Sequence, residues 1–226
     1  MCHIYDGRHD RRFRRRCAPV PRAAPGWASC GRFADVLGQG LTARGDTQAL
    51  AFLDRAAHQG SAIIGPAKDY WKRARPFAVS NQVERLADMA PNAATPCAGS
   101  LENSSKASRA KRAREQAEQR AHKQQELAHS SYPSGHAAFA AICAILLSDM
   151  VPEERSALFA RARDFDHSRM VVGAHFPTDL AAGRIAGSVA ATLMMQNASF
   201  QRDYAAARVQ LRSALGLPAN PPARVH

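Results

Sequence analysis

Long apolar runs are scarce in this sequence. Its two most apolar stretches, Ala137–Leu147 and Ile185–Met195, are eleven residues each, whereas a helix needs about 20 to cross a bilayer. No integral membrane span is therefore expected. Segments with the two-residue alternation of half-buried strands are few, which points to an all-α fold. There is no glycine-rich fingerprint for a nucleotide. There is also no carboxylate cluster and no Cys/His spacing suited to a metal site, so neither a metal nor another cofactor is expected. Acidic residues are in deficit, with 19 Asp and Glu against 31 Lys and Arg, a formal net charge of +12.

That charge is unevenly placed. Residues 1–25 hold seven arginines against Asp6 and Asp10, a net +5, and residues 101–130 hold seven basic and four acidic residues, a net +3. Most of the excess thus lies in two segments that read as solvated, so nucleic acid is not the expected partner, although an Arg-rich binding role remains an alternative. The 226 residues, 46% of them hydrophobic, suit one compact domain with a sizeable core.

The chain divides into a basic segment 1–28, expected to be disordered, a main domain 29–200, and a C-terminal extension 201–226. The main domain carries a charged insertion at 98–130 that could cover a pocket mouth or simply be solvated. Within it, Phe33–Leu37 starts a short helix. Thr47–Ile64 reads as an amphipathic helix, with Leu50, Phe52, Leu53, Ala56 and Ala57 on its apolar side and Asp46-Thr47 as its cap. A further helix runs from about Pro66 to Arg73 and stops before Arg75-Pro76. Ala137–Leu147 reads as a buried helix, and Pro152 opens another that continues to about Ser168. Thr178–Gln196, apolar on most sides, is expected to be central. The result is a single-domain helical bundle with a site at converging helix ends. Of the five cysteines, at 2, 17, 30, 97 and 143, Cys143 reads as a buried thiol. A Cys30–Cys97 disulfide would be open to the chain in an oxidising compartment.

Three short segments carry the chemistry: Lys68 to Arg75-Pro76, Pro133-Ser134-Gly135-His136, and Ser168-Arg169 to His175 and Asp179. Together they offer three cations, two histidines, a carboxylate and a Ser-Gly turn. Arginine forks bind phosphate oxygens in pairs, so Arg75, Arg169 and the point charge of Lys68 suit a tetrahedral oxyanion. Ser134 and Gly135 precede a helix, where unpaired N–H groups and the dipole favour anions. His175 and Asp179 are four apart, the spacing at which a carboxylate can fix one ring nitrogen and leave the other free to attack. His136 falls in the first turn of its helix, facing the same pocket. Alone, a loop histidine, a lone cation or a Ser-Gly cap would be ordinary; their joint order and spacing are not.

The pattern Lys-x6-Arg-Pro, Pro-Ser-Gly-His, Ser-Arg-x5-His-x3-Asp resembles the signature of the type-2 phosphatidic-acid phosphatase superfamily. Ser131-Tyr132-Pro133-Ser134-Gly135-His136 and Gly65-Pro66-Ala67-Lys68-Asp69-Tyr70-Trp71 most resemble its class A non-specific acid phosphatases. The resemblance spans roughly residues 30–200, with every signature position filled. It implies a metal-independent phosphomonoesterase of broad specificity acting on small phosphorylated substrates, with phosphate transfer to alcohols as a side activity. It implies His175 as the nucleophile forming a phosphohistidine, Asp179 as its orienting carboxylate, and His136 as acid and then base. Lys68, Arg75, Ser134, Gly135 and Arg169 would form the phosphate cradle, which would also take vanadate as an inhibitor. It further implies a homodimer and a periplasmic location, though no secretory leader is visible before the first helix and a misassigned start would account for that. A vanadate-dependent haloperoxidase and a lipid or isoprenoid (pyro)phosphate phosphatase are the alternatives within the superfamily.

Overall fold

A computed structural model of the chain describes residues 29–41, 47–84 and 128–221, with Lys111, Arg114, Glu115 and Glu118. The expectations for residues 1–28, for the Asp46 cap and for nearly all of the 98–130 insertion lie outside the described residues, and the Cys30–Cys97 disulfide is overturned because Cys30 is bonded to Cys143. Among the described residues there is no strand, and the fold is all-α. A 3-10 turn, Cys30–Phe33, leads into α1 (Ala34–Leu37). There follow α2 (Thr47–Ser61), α3 (Ile64–Trp71), α4 (Pro76–Val79), α5 (Gly135–Met150), α6 (Arg155–Val171), α7 (Pro177–Met195) and α8 (Ala198–Ala214). No described helix is long and apolar enough to cross a membrane.

The centre of the bundle is α5. It is apolar all round, and its residues from Ala137 to Ala144 are all buried, as expected of a helix enclosed by others. It packs against α2, α6 and α7. The buried stripe of α2 is Ala49, Phe52, Leu53, Ala56 and Ala57. This is the expected face, except that Ala49 occupies its centre and Leu50 sits at its edge.

The expectation that the helix near 178–196 is central is corrected. Helix α7 lies to one side and exposes Ile185, Val189 and Leu193 by 67%, 51% and 59%. The reason is the size of its buried face. A Cβ on Gly183 would sit 2.3 Å from the Ser134 carbonyl oxygen, and one on Gly187 would sit 2.4 Å from that of Ala138. Small residues at four-residue spacing thus let α7 lie directly on the α5 backbone, and the large aliphatic residues take the outer face.

Cys143 is also corrected: it is no free thiol but is bonded to Cys30, with the Cα atoms 5.5 Å apart. The 3-10 turn packs its buried Cys30 and Phe33 into the core that contains Cys143. Residues 113 apart in sequence are neighbours only because α5 is central.

Helix α8 runs through residue 200 and packs into the core. Its Tyr204, Ala207 and Leu211 are buried in the main cluster. The Tyr204 hydroxyl donates to the Leu146 carbonyl at 3.0 Å. Arg212, fully buried, forks onto Glu153 at 2.9 and 3.1 Å and reaches the Met150 carbonyl at 3.0 Å, so this buried charge is paired and hydrogen-bonded.

Candidate active site

The three sequence segments meet at the start of α5 and α7. The first leaves α3 at Lys72, whose φ of 43° is left-handed and turns the chain back along the second segment. Arg75 N–H donates to the Ala128 carbonyl at 2.8 Å, and Ser131 N–H donates to that of Arg73 at 3.0 Å. The Ser130 carbonyl then receives both the Lys68 ammonium and, at 3.3 Å, the Arg75 guanidinium. Arg75 is buried and also donates to the Ala174 carbonyl at 3.0 Å and the Ser130 hydroxyl at 3.2 Å. The two cations are thereby held side by side, although they repel.

Ser134 is the N-cap of α5, its hydroxyl oxygen accepting from Ala137 N–H at 3.3 Å. Gly135 opens the helix, and a Cβ there would meet only the Ile64 side chain at 3.8 Å. His136 follows in the first turn. The Ser134 N–H donates to the Asp179 carbonyl at 2.9 Å, locking the two helix starts together. Arg169 ends α6 with its guanidinium 5.4 Å from the Phe165 ring centroid, and His136 lies 6.0 Å from the same ring.

His175 lies in the loop that enters α7, nearly inaccessible to solvent, with its ring 6.2 Å from that of His136. Its Nδ1 stands 3.6 Å from Asp179 Oδ2, beyond hydrogen-bond length. Both ring nitrogens are buried without a hydrogen-bond partner among the described residues. A buried polar atom in that condition calls for an explanation, and chemistry is one.

Asp179 joins all three segments. Arg73 of the first donates to Oδ1 at 2.7 Å. The Ser131 hydroxyl of the second donates to Oδ2 at 2.5 Å, and Phe176 N–H of the third donates to Oδ2 at 2.8 Å. Burial pushes its carboxyl pKa up, but His175, Ser131, Phe176 N–H and the Arg73 charge outweigh this and hold it below 3.8. Arg73 and Ser131 were not among the residues singled out from sequence. Their signal was position alone: each falls inside or beside a signature segment.

The cations govern the rest of the electrostatics. Burial, then the charge of Arg75, lowers Lys68 to about 8, with Asp179 opposing. Burial and the charges of Arg75 and Lys68 bring His175 to about 4, against the pull of Asp179. Burial, followed by Arg169, His175, Arg75 and Lys68, pushes His136 well below 6.5. In the protein alone, the cations that face His136 thus oppose its charge. Lys68, Arg75, His136, His175 and Asp179 are coupled by contact or charge, Arg169 acts on His136, and Ser134 N–H donates to the Asp179 carbonyl beside Gly135.

An all-α domain that brings three cations and two histidines to the starts of two helices offers the charge and donors that a tetrahedral oxyanion needs. A family model of the PAP2 superfamily matches residues 56–203, well over half of the sequence, and the chain belongs to that superfamily. It is similar to a non-specific acid phosphatase of Salmonella typhimurium, 37% identical over 83 residues, covering 37% of this chain and 33% of the relative. A non-specific acid phosphatase of Salmonella typhi is 38% identical over 81 residues, covering 36% and 32%. An acid phosphatase of Zymomonas mobilis is 36% identical over 84 residues, covering 37% and 32%. The matched stretch spans about a third of the length of these relatives.

Proposed function

We propose that the protein is a metal-independent acid phosphatase that hydrolyses small phosphate monoesters through a phosphohistidine. The observation that carries this is the unbonded, buried His175 ring beside Lys68, Arg75 and Asp179. In the proposed reaction Lys68, Arg75, Arg169 and the N–H groups at Gly135 hold the non-bridging oxygens. His175 is neutral across the working range, as an attacking nitrogen must be. Its Nε2 bonds to phosphorus while the P–O bond to the alcohol breaks, and His136 gives the leaving oxygen its proton. His136 then takes a proton from water, which attacks phosphorus and releases His175.

The lowered pKa of His136 fits this scheme once the substrate's charge is counted. A phosphate dianion among the same cations offsets the repulsion that disfavours the protonated ring, so binding and protonation favour each other. As charge develops on the His175 ring, the 3.6 Å gap to Asp179 closes toward hydrogen-bond length. Broad specificity and transfer of phosphate to other alcohols extend the same reading. The names of the curated relatives support a phosphatase over the haloperoxidase and lipid-phosphate alternatives. The Cys30–Cys143 disulfide supports a periplasmic or other oxidising compartment. A homodimer is the proposed assembly, to be tested by sedimentation.

The direct test is p-nitrophenyl phosphate hydrolysis in EDTA by the wild type and by His175→Ala. Turnover that persists in EDTA and is lost in the variant supports the proposal. A folded wild type without turnover refutes it.

A further inference from the structure

We infer that Arg73 is a positioning residue: through Asp179 it holds the His175 ring in place and sets the charge that the ring feels. The inference rests on the proposed role of His175 as nucleophile. Asp179 is fully buried, and a buried carboxylate needs a partner. Arg73 supplies it from the solvent side, its own side chain remaining 38% exposed. One nitrogen, Nη1, donates both to Asp179 Oδ1 and to the Thr178 hydroxyl, each at 2.7 Å. The guanidinium lies 4.4 Å over the Phe176 ring, a cation–π contact that fixes its plane. Arg73 therefore grips Phe176, Thr178 and Asp179 at the start of α7.

The two carboxylate oxygens have different tasks. Oδ1 is engaged by Arg73, while Oδ2 takes Ser131 and Phe176 N–H and faces His175 Nδ1 at 3.6 Å. With Oδ1 anchored, the carboxylate cannot rotate away, and Oδ2 stays opposite the ring. Arg73 lies in the first segment and Asp179 in the third, 106 residues apart, so the same contact sets the cradle cations against the nucleophile. It also balances charge. His175 is faced by Lys68 of α3, Arg75 before α4, His136 of α5 and Asp179 of α7, while Arg169 near the end of α6 acts on His136. Removing Arg73 leaves the Asp179 charge less compensated, and the imidazolium form of His175 gains.

The experiment compares wild type, Arg73→Ala and Arg73→Gln with an aryl phosphate substrate. Each is measured across pH, with inorganic phosphate as a competitive inhibitor. For Arg73→Ala, kcat is expected to fall about 10- to 100-fold, the range for losing a group that orients a catalytic one. The inhibition constant of phosphate should change by less than about threefold, because Arg73 is outside the cradle. The acid limb of kcat/KM should move to higher pH. Arg73→Gln removes the charge while keeping donors, and serves if the alanine variant does not fold; it should show the same moved limb.

Unchanged kcat and acid limb would overturn the inference. So would a loss of phosphate affinity in step with kcat, which would make Arg73 a phosphate ligand. If the wild type proves inactive, the proposed function fails separately. NMR titration of His175 then decides the inference: a higher pKa in either variant supports it, and an unchanged one overturns it.

Discussion

Lowering the pH from 7 to 5 should destabilise the protein, and His175 should account for a measurable share. Its pKa is 6.5 ordinarily and about 4 in the fold, because the ring is buried and Arg75 and Lys68 are near. The unfolded chain therefore binds the proton more tightly than the native one, and stability rises with pH. The contribution is fully present above pH 6.5, declines as pH falls, and is gone once pH has passed through about 4. Between pH 7 and 5 the loss from this residue is about 2 kcal/mol, or roughly 4–8 °C in Tm for a domain of this size. His136, also lowered, adds to the loss with the same sign. Asp54 and Asp166 have raised carboxyl pKa values, chiefly through burial, and oppose it. Urea unfolding followed by circular dichroism, at pH 7 and 5, measures the total. In His175→Asn the loss between the two pH values should shrink by about 2 kcal/mol, while the contributions of the distant Asp54 and Asp166 cancel in the comparison. Inorganic phosphate should flatten the wild-type dependence, since it binds the native state and opposes the cations. Equal pH losses in the two proteins would refute a neutral, buried His175.

His136→Ala should slow hydrolysis of an alkyl phosphate by about 10²- to 10⁴-fold, the range for a lost general acid. Its effect on p-nitrophenyl phosphate should be far smaller, because that leaving group hardly needs a proton; steady-state kinetics on both substrates checks this. Gly187→Ala should cost about 1–3 kcal/mol, since its Cβ would meet the Ala138 carbonyl at 2.4 Å. Gly65→Ala in exposed α3, where a Cβ meets nothing within 4 Å, should be neutral or stabilise by up to about 1 kcal/mol; thermal melts separate the two. Reducing the Cys30–Cys143 bridge, which closes a loop of over a hundred residues, should lower stability by about 4–5 kcal/mol in the chain-entropy model. Urea titrations with and without reductant would show it.

The sequence by itself determined the all-helical class, the order of the main helices, and the three signature segments from which the proposed site is drawn. Those features are written locally. Apolar spacing forms α2 and α5, Pro177 and Asp179 mark the start of α7, and the signature segments keep their internal spacing whatever the rest of the fold does. What only the tertiary structure decided depends on distances between segments far apart in the chain. The row of Ile185, Val189 and Leu193 looked like a core face by hydrophobicity, yet the glycine face of α7 is buried because it alone allows close approach to α5. Cys143 found Cys30 because α5 is central, which spacing cannot reveal. Arg73 and Ser131 carry no signal of their own, since any Arg or Ser near a site would look the same. They matter because the fold aims both at one buried carboxylate. The titration of His136 and His175 was likewise set by assembly, for burial, together with the nearness of Lys68, Arg75, Arg169 and the two rings, lowers both imidazole pKa values below the ordinary 6.5.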